Sequence, residues 1–282
     1  MKRSIKENCF LYLLLSVILL LVIFPLIYTV LASFKTNGEI LANPGGIIPS
    51  EFTFDNYIQA WNSEDFNVLL LIKNSTYYTV IITCAVMLKS AMCGYVFARG
   101  EFPGKKFIFM LFSALLFIHL GTITVYPLFN ILNIVKLNRS LWGLIIIKIF
   151  GINVVNMYLV KSFITSLPIG LDEAARIDGC NFIQTFYYII APLLRPVLAT
   201  VGILAFKNSW NEYLMPTIFT LGNPKQRTLI AGVVALKSGG EAATSWNLMF
   251  AGSAIALVPV LIAYAFGNRY FVSGLASGAI KE

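Results

Sequence analysis

The stretch that decides the fold is Leu167–Pro196, LPIGLDEAARIDGCNFIQTFYYIIAPLLRP. It begins polar and charged, becomes amphipathic, and is flanked on both sides by strongly apolar sequence. In so hydrophobic a chain, an ordered polar segment of this length faces water on one side of a membrane. The pattern predicts two short helices with a break at Asp178-Gly179. Asp172 and Glu173 fall in the first turn of the first helix, where negative charge complements the helix dipole. Gly179 can take the positive φ that ends a helix tightly. Pro192 and Pro196 limit the second helix and open the next apolar run. On pattern alone, an ordinary amphipathic connector between two spans fits equally well.

The surrounding composition defines the class. The chain has 282 residues, of which 58% are hydrophobic and only 12% charged, and its mean hydropathy is +0.78. Soluble domains carry about 25% charged residues, so this is an integral membrane protein built from helices in lipid. The net charge of +8 is scattered over segment ends, which suits cytoplasmic loops and lipid headgroups and not a nucleic-acid footprint. Cys9, Cys84, Cys93 and Cys180 have neither metal-ligand nor CxxC spacing and read as small apolar residues. No Ser/His/Asp set or spaced carboxylate pair points to catalysis, and no metal site or bound cofactor is expected. There is no GxxxxGK[ST] phosphate loop, so the energy for any transport must come from a partner or an ion gradient.

Six apolar spans are predicted, at about 9–34, 74–98, 107–129, 141–163, 193–221 and 246–271, within one membrane domain covering 1–282. Lys2, Arg3 and Lys6 precede an apolar core too long for a cleaved signal, which reads as a signal-anchor helix starting in the cytoplasm. Pro25 is expected to kink it. Residues 35–72 are acidic and rich in turn signals, and are assigned to the outer face together with a polar loop at 222–245. The polar stretch 164–192 then falls inside, as do both termini. With Lys161, Arg195 and Arg269 at the inner span ends counted as inside, that topology gives 11 Lys and Arg inside and seven outside, a modest bias in the expected direction.

Glu173-Ala174-Ala175, three residues, Gly179, nine residues and then Ile189-Ile190-Ala191-Pro192 resembles the EAA loop of ABC importer membrane subunits. The departure is Ala191, where Leu is usual. Other stretches narrow the resemblance to the MalG-like sugar permeases. Tyr95–Lys105 (YVFARGEFPGK) is similar to the family's YALARFRFPG run, and Ser209–Pro216 (SWNEYLMP) to its SWNDFLWPL segment. Gln226–Leu229 resembles its RTL element and Arg269–Lys281 its RYFVRGLTAGAVKG ending. In the third span, Ile118–Gly121 stands where relatives often have a proline pair.

The resemblance implies an all-α membrane protein with the type I ABC importer permease fold. It also implies a coupling region made by Glu173, Ala174, Ala175, Asp178, Gly179, Ile189 and Pro192, docking on a cytoplasmic ATPase. The partners implied are a second homologous permease, an ATPase dimer that binds ATP and Mg, and an extracellular sugar-binding protein. The location implied is a bacterial or archaeal cytoplasmic membrane. The function implied is the permease of an ATP-driven carbohydrate importer, with an oligosaccharide as the expected cargo.

Ionisable groups inside a bilayer cost about 2.5–3.5 kcal/mol each on insertion scales, so each needs a reason. Lys89, Lys148, Lys207 and Glu212 fall within the predicted spans. Asn208, Trp210, Asn211 and Glu212 form a polar, aromatic cluster of the kind a sugar site needs, because sugars present apolar ring faces and many hydroxyls. Packing against another subunit explains the same cluster. Lys207 and Glu212, five apart, are poorly spaced to pair on one helix. Lys89 faces either the substrate path or the other subunit. His119, near mid-membrane, reads as hydrogen-bonded to a neighbouring helix ahead of a proton relay. An ion-gradient-driven secondary transporter using the membrane Lys and Glu groups is the alternative, and an assembly protein with no pathway is a third reading.

Overall fold

A computed structural model of the chain describes residues 5–63, 66–117, 121–239 and 245–279 and builds them from helices, with no strand among them. It divides into two compact units, residues 1–70 with 232–258 and residues 71–231 with 259–282.

In the first unit, helix α1 (Ile5–Ala32) has 28 residues and a length of about 42 Å, enough to cross a hydrocarbon core of about 30 Å. Almost all its large side chains are exposed. Lipid or another subunit must therefore cover it. The segment expected as an outer loop contains α2 (Asn37–Ala42), capped by the Thr36 hydroxyl, and α3 (Asp55–Asn62). A buried polar knot joins them. Asn56 donates to Ser33 O at 2.7 Å and Lys35 O at 2.8 Å, and accepts from the Asn247 amide at 2.8 Å. The buried Lys35 ammonium donates to Gly46 O at 2.6 Å. The Ser50 backbone N–H holds the Glu39 carboxyl below its usual pKa, helped by the Ser50 hydroxyl and by Lys35. A depressed carboxylate pKa means that this contribution to stability is present at neutral pH and is lost as pH falls through the folded value.

The second unit is organised on α4 (Val68–Arg99), a helix of 32 residues. Helices α7 (Leu141–Phe150), α8 (Val154–Ser166) and α12 (Arg195–Trp210) pack around it. Tyr78, Ile82 and Val86 recur at four-residue spacing on one face of α4, and Ala91 and Tyr95 carry the buried contact around the helix further along. They meet Leu144 of α7, Val160 and Ile164 of α8, and Val197 and Val201 of α12. Gly94 sets the closest approach, since a Cβ there would lie 2.8 Å from Val160 Cγ1 and 3.1 Å from the Lys161 backbone nitrogen. Gly94→Leu should therefore force α4 and α8 apart at a cost of about 1–3 kcal/mol. Thermal unfolding in detergent should show a lower midpoint. An unchanged midpoint would mean that the two helices separate freely.

The helices do not coincide with the predicted spans. The helix that contains the second begins at Val68, six residues before the predicted start. The third, expected over 107–129, is in pieces. Helix α5 (Lys105–Ala114) has ten residues, about 15 Å, and a single turn at Gly121–Thr124 leads into α6 (Val125–Ile134). Gly121 at φ +50° interrupts the helical path. His119, with Ile118 and Leu120, lies outside the described residues. The fourth span is broken between Phe150 and Val154, where the Asn153 side chain caps α8 through Asn156 N–H at 3.0 Å. The fifth is broken between Trp210 and Leu214, where α13 (Leu214–Phe219) begins. The expected loop at 222–245 includes α14 (Leu229–Ala235), with Leu229, Ala231 and Val233 buried. The last helix, α15 (Trp246–Ala279), runs past the predicted end at 271.

Four stretches of the described chain are long and apolar enough to cross a membrane: Phe10–Ala32, Val68–Arg99, Leu141–Ser166 across its break, and Trp246–Phe266. A fifth candidate is the pair Phe182–Leu193 and Arg195–Trp210, bent by 76°.

Candidate functional site

The polar stretch folds as the sequence predicts. Helix α9 (Gly170–Ile177) ends at Gly179, which takes φ +83°. Cys180 N–H reaches back to Ala175 O at 2.9 Å and Gly179 N–H to Arg176 O at 3.1 Å, the paired bonds of a Schellman turn. Helix α10 (Phe182–Thr185) then starts with a capping box. The Asn181 side chain accepts from Gln184 N–H, and the Gln184 side chain accepts from Asn181 N–H.

The chain next widens into a π turn over Phe186–Ile190 before the short α11 (Ala191–Leu193). Pro192 has no N–H, and its ring would clash with the carbonyl four residues back. The wider turn relieves that clash, with Ala191 N–H bonded to Phe186 O. Pro196 interrupts the ladder again four residues later, next to the 76° bend.

Two residues of α4 hold this helix pair in place. Arg99 Nε lies 2.9 Å from Asp172 Oδ2, with both side chains nearly buried, and Arg99 Nη2 donates to Leu167 O at 2.8 Å. Tyr95 donates to Phe182 O at 3.2 Å and stacks on the Phe182 ring at 4.4 Å between centroids. Of the predicted coupling residues, Glu173, Ala174, Asp178, Gly179 and Pro192 are exposed, Ile189 is half-buried, and Ala175 is buried. The outer surface is also apolar: Ile177 is 86% exposed and Ile183 74%, with Tyr187 and Tyr188 open as well. The sequence places Asp172 in the first turn of this pair, but did not connect it with Arg99 or the pair with Tyr95. The N-x-x-Q of Asn181–Gln184 was a legible capping signal, but nothing local announces the Arg99–Asp172 pair.

The second feature is a cavity of about 640 Å³. It lies beside both helix breaks, Gly151–Asn153 and Asn211–Tyr213. Asn208, Asn211 and Glu212 line it, together with Lys148, Asn153 and apolar side chains that include Ile82 and Val86 of α4. Glu212 Oε1 accepts from the Lys148 ammonium at 2.7 Å, and Oε2 accepts from the Tyr78 hydroxyl at 2.7 Å. Two predicted path residues do not line it. Trp210 is buried and stacked on Phe206 at 5.8 Å. Lys89 donates to Lys148 O at 2.9 Å and to Gly151 O, so its charge sits on the carbonyl end of α7. The cause is that Asn208 and Trp210 project from different faces of α12, which a cluster read along the sequence does not separate. Among the described residues, no group of three or more His, Cys, Asp or Glu side chains is placed to hold a metal.

Long apolar helices, a cavity beside broken spans and an exposed helix pair with an apolar outer face fit a membrane transport subunit of the permease type. Residues 10–276 match the model of the binding-protein-dependent transport system inner membrane component family, and the chain belongs to that family. It is 33% identical over 93% of its length to the diacetylchitobiose uptake system permease protein NgcG of Streptomyces coelicolor, covering 85% of that protein. It is 33% identical to the sulfoquinovosyl glycerol transport system permease protein SmoH of Agrobacterium fabrum, covering 94% of this chain and 91% of that one. The arabinooligosaccharides transport system permease protein AraQ of Halalkalibacterium halodurans is 32% identical, with 92% and 91% covered. In fold, the chain matches a subunit of a bacterial ABC transporter involved in the import of the acidic polysaccharide alginate. That match has a TM-score of 0.77 at 22% identity, over 96% of this chain and 99% of that one.

Proposed function

We propose that this chain is the permease subunit of an ATP-driven importer of a carbohydrate of oligosaccharide size. Its exposed helix pair receives the motion of a cytoplasmic ATPase dimer, which binds ATP and Mg. A second homologous permease completes the path, and an extracellular sugar-binding protein delivers the cargo. The helix pair and both termini lie on the cytoplasmic side of a bacterial or archaeal membrane. Glu173, Ala174, Asp178, Gly179 and Pro192 belong to the docking surface, with Ile189 and Ala175 packed beneath it. Asn208 and Asn211 offer amide groups to sugar hydroxyls, and the apolar wall of the cavity suits sugar ring faces.

The observation that carries this reading is the double use of α4. Near its end, Tyr95 and Arg99 grip the helix pair; Tyr78 holds Glu212, and Ile82 and Val86 line the cavity. Tyr78 and Arg99 are about 31 Å apart along one helix, so a push on the pair is transmitted by a rigid element. Alternating access then needs only that the spans reorient around the cavity when the ATPases close.

Reconstitution in proteoliposomes tests this. With the second permease, the ATPase and the binding protein present, uptake of an oligosaccharide should require ATP. The chain alone should give none. The half-buried Lys148–Glu212 pair favours a second reading, a transporter coupled to an ion gradient. Uptake by the purified chain in a proton or sodium gradient, with no ATPase, would support that reading and overturn the first.

A further inference from the structure

The cavity wall has an unusual charge arrangement. Of the described residues that line it, Lys148 is the single cation and Glu212 the single anion, and the two meet at 2.7 Å. The other polar groups there, which include Asn153, Asn208, Ser209 and Asn211, are neutral hydrogen-bonding side chains. Each carboxylate oxygen of Glu212 already holds a donor, Lys148 on one side and Tyr78 on the other. Glu212 is therefore restrained and neutralised, where the sequence suggested a direct sugar contact. The nearby Lys89 does not line the cavity. It sits at the C-terminal end of α7, where the helix dipole is negative, and bonds the carbonyls of Lys148 and Gly151. It thereby fixes the turn that carries Lys148.

A wall of this kind offers a ligand hydrogen bonds and apolar contact but no unspent charge. An uncharged sugar loses only hydration of hydroxyls that the amides can replace. A carboxylated sugar would surrender the much stronger hydration of its charge and find the Lys148 ammonium already paired. We propose that the Lys148–Glu212 pair sets the substrate class of this cavity, admitting uncharged, hydroxyl-rich saccharides and turning away acidic ones. In this arrangement Lys148 and Tyr78 are positioning residues that neutralise and orient Glu212. The inference rests on the carbohydrate reading above and adds the charge of the cargo.

The test uses the assembled transporter, with second permease and ATPase but no binding protein, in lipid nanodiscs. Saturation-transfer NMR would compare neutral trisaccharides (cellotriose, maltotriose, arabinotriose, galactotriose) with trigalacturonate. The wild-type complex should bind at least one neutral trisaccharide and should bind trigalacturonate at least about tenfold more weakly. Glu212→Gln keeps a hydrogen-bonding side chain and leaves the Lys148 charge unspent, so trigalacturonate should tighten about tenfold, an effect that added salt reduces. Lys148→Gln exposes the carboxylate and should move trigalacturonate the other way. The double variant Lys148→Gln/Glu212→Gln removes both charges and should return the ratio to the wild-type value.

Opposite shifts with recovery in the double variant are not produced by loss of packing. Equal binding of neutral and acidic trisaccharides to the wild type, or parallel losses in both single variants, would overturn the inference and leave the carbohydrate reading standing. Failure of every saccharide to bind the wild type would overturn both.

Discussion

Arg99→Ala should reduce ATP-driven uptake at least tenfold while the membrane helices stay assembled. The Arg99 and Asp172 side chains are 12% and 10% exposed, so the pair is close to the buried limit. Removing one partner of a buried pair costs about 3–5 kcal/mol, because the other charge is left without compensation. Here Asp172 would be stranded in the first turn of α9, and Leu167 O would lose its Nη2 donor. The helix pair should then move independently of α4. The expected signature is uptake lost in reconstituted transporter while ATP hydrolysis persists. Arg99→Lys should recover only part of the uptake, since one ammonium cannot reproduce both guanidinium contacts. Full transport by a well-expressed Arg99→Ala protein would remove α4 as the linking element.

The second large effect is expected at Gly179. At φ +83° the residue is in the left-handed region, where a side chain costs about 1–2 kcal/mol and a β-branched one more. A Cβ at Gly179 would have nothing within 4 Å, so the cost comes from the backbone and not from a clash. Coupled uptake should therefore fall in the order Gly, Asn, Ala, Val, with Gly179→Val uncoupling hydrolysis from uptake or releasing the ATPase. Gly222 has nearly the same conformation, φ +82°, in a loop remote in sequence from the helix pair. Gly222→Val should carry similar strain and retain coupling. Equal uptake by Gly179→Val and wild type would end the role assigned to this turn.

Much of the helix pair could be read from residues 167–196 alone. Acidic residues in the first turn, a glycine at the stop and prolines at the bend each act on the backbone within a few residues. The turn at Gly179 follows from such local rules. The span boundaries were less legible. Hydropathy reports whether a segment belongs in an apolar setting, and 141–163 and 193–221 both satisfy it. It does not register that Gly151 and Asn211 interrupt the helices. Those interruptions leave backbone carbonyls in need of donors, and at Gly151 the donor is Lys89, 62 positions away in the chain.

The sequence by itself determined the membrane class, the EAA-like helix pair and the turn at Gly179, because composition and short-range stereochemistry decide them. Tertiary structure decided the partners of the charges. Glu212 found Lys148 at a separation of 64 residues and Tyr78 at 134, and Asp172 found Arg99 on a helix that ends 71 residues before α9 begins. Such pairings depend on which helices become neighbours when their apolar faces pack. The spacing of residues along one helix carries no record of that choice.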